Sequence, residues 1–163
     1  MEIRRASTDD IESITKLYRE NHAETYRGLL SEEYFSRPTP DYTKKKWSTY
    51  LQNPGNIIWV AYESDAFLGF AAGTKDAELE HTWYLDSLHI TPDAQGKGIG
   101  TRLIETMKHH ASQLHCSQLS VCIVRGNETA RTLYTKLGAK HFSYFDDDFC
   151  GTISHSEKLV WPL

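Results

Sequence analysis

The sequence predicts a mixed α/β domain, a layer of strands carrying helices. Three observations lead there: β-rich runs and helical periodicities alternate along the chain, one apolar run is continuous enough for a doubly covered strand, and another strand enters a helix through a glycine-dense turn. At 163 residues the chain has the usual length of one compact domain, able to bury roughly 70% of its unfolded surface, so a single domain over residues 1–163 is expected. Apolar residues at 39%, charged at 25% and aromatic at 12% exclude a disordered or collagen-like chain.

The elements follow in order. Residues 3–6 read as a short first strand. Asp9 and Glu12 then show capping-box spacing ahead of Ile11, Ile14, Leu17 and Tyr18 on one face of a first helix. Across residues 26–51, Gly28, Pro38 and Pro40 break the pattern into short helices and loops, with Leu29, Leu30, Tyr34 and Phe35 before the breaks and Trp47, Tyr50 and Leu51 after. Residues 56–63 and 66–74, separated by Ser64 and Asp65, form an antiparallel hairpin. A third strand spans 83–90, and Pro92 ends it. Ile99, Leu103, Ile104, Met107, Ala111 and Leu114 then give the periodicity of a central helix. The run 119–124 suits a parallel strand, residues 128–137 a helix stopped by Gly138, and 140–145 and 153–161 two closing strands.

Eighteen Lys and Arg against 22 Asp and Glu give a net charge of -4, which lacks the field that draws in nucleic acid. No run approaches the roughly 20 apolar residues of a membrane helix, and Met1, Glu2, Ile3, Arg4 and Arg5 do not start a signal peptide, so a soluble cytoplasmic protein is expected. Cys116, Cys122 and Cys150 lack CxxC spacing and read as buried thiols. His109, His110, His115 and Cys116 fall along a helix whose apolar residues claim the core side; they read as a solvated face, and no metal is expected.

The chemistry concentrates between Asp86 and Leu103, where a strand runs through Gln95, Gly96, Lys97, Gly98, Ile99 and Gly100 into a helix. Glycines at a strand-to-helix junction let backbone N–H groups converge, and the helix N-terminus adds roughly half a positive charge. Such a loop suits a pyrophosphate, with Lys97, Arg102 and the Thr101 hydroxyl as further donors. A tight turn with glycine caps is the plainer alternative for the glycines alone. GxGxxG fails because the third glycine comes one residue early, and GxxxxGK followed by Ser or Thr is absent.

The same six residues resemble the (Gln/Arg)-x-x-Gly-x-(Gly/Ala) signature of the GNAT N-acetyltransferases. About 30 residues on, Asn127, Ala130, Tyr134, Lys136 and Gly138 resemble that family's Asn-x-x-Ala-x-x-x-Tyr-x-Lys-x-Gly stretch. The resemblance implies a mostly antiparallel twisted sheet with helices on both faces, and acetyl-CoA as cofactor. It implies that main-chain amides of Gln95, Gly96, Lys97, Gly98, Ile99 and Gly100, together with Thr101, hold the pyrophosphate. Leu88, His89 and Ile90 would form a bulged strand pairing with the pantetheine arm, with Asn127 steadying the cofactor. Tyr134 would give a proton to the leaving thiolate, which a phenylalanine cannot do; its alternative is a packed helix residue.

The acceptor implied is a small-molecule or peptide amine, and a homodimer is compatible with the resemblance. An ammonium must lose a proton before attacking a thioester, and Asp86, sharing a strand face with Tyr84, is the candidate base. Glu80, His81 and Glu24 are the fallbacks. Many relatives carry glutamate where Tyr84 stands. The stretch from His22 to Leu30 resembles one that lines the acceptor cleft of small GNAT proteins, making Glu24 and Tyr26, with Trp47 and Tyr84, candidate acceptor contacts. Acetyl transfer in a ternary complex is the leading expectation, because burial of Cys122 in the 119–124 run argues against an acylated thiol. A catalytically silent acyl-CoA-binding sensor or interaction module is its rival.

Overall fold

The computed structural model describes residues 1–27, 39–149 and 152–163. In chain order the elements are β1 (Glu2–Arg5), α1 (Ile11–Tyr26), α2 (Pro40–Gln52), β2 (Asn56–Glu63), β3 (Ala66–Lys75), β4 (Thr82–Ile90), α3 (Ile99–Gln113), β5 (Gln118–Val124), α4 (Glu128–Lys136), β6 (Lys140–Phe149) and β7 (Thr152–Pro162). The strands form one seven-stranded sheet in the order β1-β2-β3-β4-β5-β7-β6. Among the described residues only β4 and β5 pair in parallel; every other neighbouring pair is antiparallel.

Strand alternation splits the core in two. On β2, Ile57, Trp59 and Ala61 face one side with Leu103, Ile104 and Met107 of α3, while Ile58 and Val60 face the other with Ile14 and Leu17 of α1 and Trp47 of α2. Helices therefore cover both faces of the sheet. The β2–β3 hairpin turns at Ser64, which takes φ 54°. Among the described residues no helix is long and apolar enough to cross a membrane.

Several expectations need correction. The first helix is not capped by Asp9 and Glu12: the Ser7 backbone N–H donates to the Asp10 carboxylate at 2.7 Å, and α1 starts at Ile11. Asp10 has a better use than Asp9 because its oxygens also receive Arg4 at 2.9 Å and the Tyr62 hydroxyl at 2.7 Å. Residues 40–52 form one continuous helix, since Pro40 sits in its first turn, where proline is tolerated, and the Thr39 hydroxyl accepts from the Tyr42 amide at 3.1 Å. The expectations for 28–38, including Gly28, Tyr34 and Phe35, lie outside the described residues, as do Cys150 and the Tyr26 side chain. β5 is parallel to β4 but antiparallel to β7, because burial on both faces produces an apolar run whatever the direction of the partners. His110 is no solvated face residue; its ring packs edge-on to Trp83 at 5.2 Å.

Candidate active site

The site begins with a defect in β4. Gly73 of β3 lies opposite Leu85 and Ala72 lies opposite Ser87, which leaves Asp86 as an extra residue without a partner. A bulge shifts the alternation by one. Trp83 and Leu85 face α3 before it, and Leu88 and Ile90 face α3 after it. The bulge was expected at residues 88–90 and sits instead at Asp86.

The ladder between β4 and β5 is short: residues 82–85 pair with 118–121, and nothing beyond pairs. Past that point the strands part, and residues 86–90 and 122–124 line opposite sides of a cleft of about 1070 Å³. At the far end of β4 the Ile90 carbonyl is already occupied, accepting from Asn21 Nδ2 at 2.9 Å and Gln95 Nε2 at 3.3 Å.

One end of this cleft is built from backbone. Gly98 is the N-cap of α3 with φ 81°, and Gly96 has φ 76°, a left-handed conformation that disfavours side chains. A Cβ on either would meet nothing within 4 Å, so conformation rather than crowding within the chain demands glycine. The first helical bond runs from the Arg102 N–H to the Gly98 carbonyl at 3.1 Å. The amides of Ile99, Gly100 and Thr101 therefore precede the helical ladder, at the positive end of the helix. These residues line the cleft with Gln95, Gly96 and Gly98; Lys97 is exposed and outside the lining.

Across the cleft, Asn127 caps α4, its Oδ1 accepting from the Ala130 amide at 3.3 Å. That bond gives Asn127 a structural duty beside its place in the lining. Two turns on, Tyr134 is buried with its ring stacked on Trp161 at 6.0 Å, and it too borders the cleft.

The other end is built from side chains. Asp86 and Tyr84 line it, as do Glu24, Tyr18, His22, Lys46, Cys122, Phe145 and Asp147. Asp86 is enclosed by protein groups yet open to solvent through the cleft, and loss of hydration pushes its carboxyl above the ordinary carboxylate range, against the pull of Lys46 and Tyr50. Among the described residues the buried Tyr50 hydroxyl has no hydrogen-bond partner at ordinary distance, although it lies near enough to Asp86 for each to perturb the other. Burial, helped by Cys122 and Asp86, pushes Tyr84 upward. Burial holds His22 down to about 3 and His89 down to about 4, so both imidazoles are neutral near pH 7. Tyr18 stacks on His22 at 5.0 Å and accepts from Lys46 Nζ at 3.1 Å.

Three expectations fail here. Trp47 is 1% exposed and belongs to the α1–α2 core, packed edge-on to Phe70 at 5.3 Å. Glu80 and His81 lie in the β3–β4 turn, at the opposite end of β4, and do not line the cleft. Cys122 is half-buried and borders the cleft, because it is the first β5 residue past the paired segment; burial raises its thiol pKa and keeps it protonated. The sequence does not single out Lys46, marks Tyr50 only as a residue after the proline breaks, and His22 only as the start of the stretch resembling a cleft lining. Their helical spacing signals only which face they occupy.

The comparisons agree with this architecture. The family model described as Acetyltransferase (GNAT) family matches residues 15–139. The N-acetyltransferase YhfO of Bacillus subtilis (strain 168) is 27% identical over 141 residues, 85% of this chain and 89% of that one. The PaiA N-acetyltransferase of Thermoplasma acidophilum, solved in complex with coenzyme A, superposes with TM-score 0.75 at 23% identity, covering 96% of this chain and 98% of that chain. A phosphinothricin acetyltransferase of Sinorhizobium meliloti, solved with acetyl-CoA, gives TM-score 0.75 at 24% identity over 99% and 88% of the two chains. The chain belongs to the acetyltransferase (GNAT) family, and is by that membership an acetyl-CoA-dependent acyltransferase.

Proposed function

We propose that this cytoplasmic, single-domain protein moves an acetyl group from acetyl-CoA to a primary amine, with both substrates bound together and no acylated enzyme. The observation that carries the reading is the continuity of the cleft, which joins the glycine-capped N-terminus of α3, the parted edges of β4 and β5, and the pair Asp86 and Tyr134. The donor set fits the cofactor. Amides of residues 95–100 and the Thr101 hydroxyl suit a pyrophosphate, and the edge of β4 around Leu88 and His89, paired with β3 but not with β5, suits the amide-rich arm. Asn127 lines the same path, while the Lys97 side chain contributes only its field.

Acetyl-CoA supplies an activated acyl thioester. The chain's own residues manage two protons around it. The Asp86 carboxylate accepts one from the incoming ammonium, and its raised pKa makes it a stronger base than an ordinary aspartate. Tyr134 Oη gives one to the departing sulfur, held in place by the stack on Trp161. Tyr84 and Glu24 are assigned to the acceptor side from their place in the lining, and Tyr26 from the family resemblance of its stretch alone.

The test is a panel of primary amines with acetyl-CoA, following free thiol. Thiol release that depends on an amine and matches acetylated product supports transfer; cofactor binding without release from any amine points to the silent sensor. Incubation with labelled acetyl-CoA and no amine separates direct attack from a Cys122 acyl-enzyme, which would retain label on the protein.

A further inference from the structure

α4 carries two residues of the cleft, Asn127 at its cap and Tyr134 seven positions on, yet it is a short helix lightly seated on the sheet. Of its nine residues Tyr134 is the one that is fully buried. Ala130, Leu133 and Leu137 rest partly buried against the core on the α3 side. A helix this short takes its stability from packing, and apolar packing holds it down without fixing its place along the sheet, because burial has no preferred direction.

The directional contact is polar. Arg131 Nε and Nη2 donate to Glu157 Oε1 and Oε2 at 2.9 and 3.3 Å, a fork that fits a carboxylate in one orientation. Glu157 is buried in the middle of β7, opposite Ile123 of β5 and Tyr144 of β6. His141 Nδ1, at the start of β6, lies 2.7 Å from Glu157 Oε2, so the carboxylate is itself held from a second strand. Arg131 keeps this carboxyl below the ordinary range against the cost of burial, and His141 adds to the pull.

Four residues along β7, on the same face of the strand, Trp161 stacks on the Tyr134 ring at 6.0 Å. β7 thus offers α4 two fixed points, one at Arg131 and one a helical turn later at Tyr134. Arg131 and Glu157 line a separate cavity of about 330 Å³ rather than the cleft, so whatever they do for acetyl transfer passes through α4.

We propose that Glu157 is a positioning residue for acetyl transfer: through its fork with Arg131 it sets where α4 lies on the sheet, and so where Tyr134 Oη stands in the cleft. The inference rests on the general-acid reading of Tyr134.

Two readouts test it, the first without cofactor or acceptor. In free protein carrying tyrosine labelled with carbon-13 at Cζ, the NMR signal that Tyr134→Phe removes belongs to Tyr134. Glu157→Gln should shift that signal, and so should Arg131→Lys, which keeps a cation beside the buried carboxylate but replaces the planar fork by a point charge. Far-UV circular dichroism should stay unchanged; if Glu157→Gln fails to fold, Arg131→Lys carries both readouts. The second readout is thiol release from acetyl-CoA with an amine that the wild type turns over. Each variant should lower kcat roughly 10-fold where chemistry limits the rate, as a misplaced catalytic group does, with KM for acetyl-CoA little changed. In the Tyr134→Phe background neither should lower kcat further. A Tyr134 signal that stays in place, or losses that multiply in the Tyr134→Phe background, would overturn the positioning role alone. Wild-type kcat in Tyr134→Phe, or thiol release with no amine at all, would overturn it together with the general-acid reading.

Discussion

The two ends of the cleft are made of different material. At the α3 end the surface is main chain, shaped by φ values of 76° and 81° at Gly96 and Gly98 and by amides that precede the helical ladder. At the other end it is side chain, contributed by residues as distant in sequence as His22, Lys46, Asp86 and Cys122. Backbone presents the same donors whatever the neighbouring side chains are, so that end suits a constant partner such as a pyrophosphate. Side chains can be exchanged one at a time, so the other end suits an acceptor that differs from one relative to the next.

Four substitutions sharpen this contrast, beginning with the greatest effect. Gly98→Val should abolish measurable coenzyme A binding by calorimetry, because a β-branched residue resists the left-handed N-cap at a cost of about 1–2 kcal/mol and fills the space left open above the amides. Binding equal to wild type would remove the loop from the donor site. Tyr134→Phe keeps the ring for the stack on Trp161 and removes the hydroxyl, so kcat should fall roughly 100-fold under conditions where chemistry limits the rate, with cofactor affinity little changed.

Asp86→Asn should lower turnover by about 10-fold to 100-fold and erase the acidic limb of the pH–rate profile. Its effect on stability has the opposite sign. A carboxyl raised in the folded state binds its proton more tightly there than in the unfolded chain, so folding loses stability as pH rises from the ordinary carboxylate range through the native value. The amide escapes that loss, and the variant should melt above wild type at pH 7, with the gap closing in acid. A variant that melts lower while retaining the acidic limb would make Asp86 structural.

The smallest effect belongs to the histidines. With native values near 3 for His22 and 4 for His89, the unfolded chain takes up protons first; their contribution is complete above about pH 6.5 and drains away as pH falls toward 4. His89→Gln should flatten the slope of melting temperature against pH in that window. An unchanged slope would mean that the imidazole is not held neutral.

Much of the molecule was legible before its coordinates. The β2–β3 hairpin announces itself through two β-rich runs around Ser64 and Asp65, and α3 through the spacing of Ile99, Leu103, Ile104, Met107 and Ala111. The backbone end of the cleft was legible for a related reason: left-handed positions leave glycines in the sequence. The bulge at Asp86 leaves no such mark, because an extra residue in a strand requires no special side chain. The partners of β5 were illegible too, since a doubly buried strand is apolar whichever way its neighbours run. Tyr50 reads as an ordinary helix residue until its hydroxyl is found beside Asp86, 36 positions away only in sequence.

The four-residue ladder between β4 and β5 has a mechanical consequence. Strands β1 to β4 form one ribbon through three antiparallel pairings, and β5 to β7 form another through two. Along the sheet, among the described residues, the ribbons share only the pairs from Thr82 with Gln118 to Leu85 with Val121, and the rest of their contact is through side chains such as Ser120 and Lys158 on Asp76. Any molecule seated in the wedge beyond Leu85 touches both ribbons. Occupancy would then add contacts that cross from one ribbon to the other, so a ligand filling the cleft should raise the melting temperature of both together.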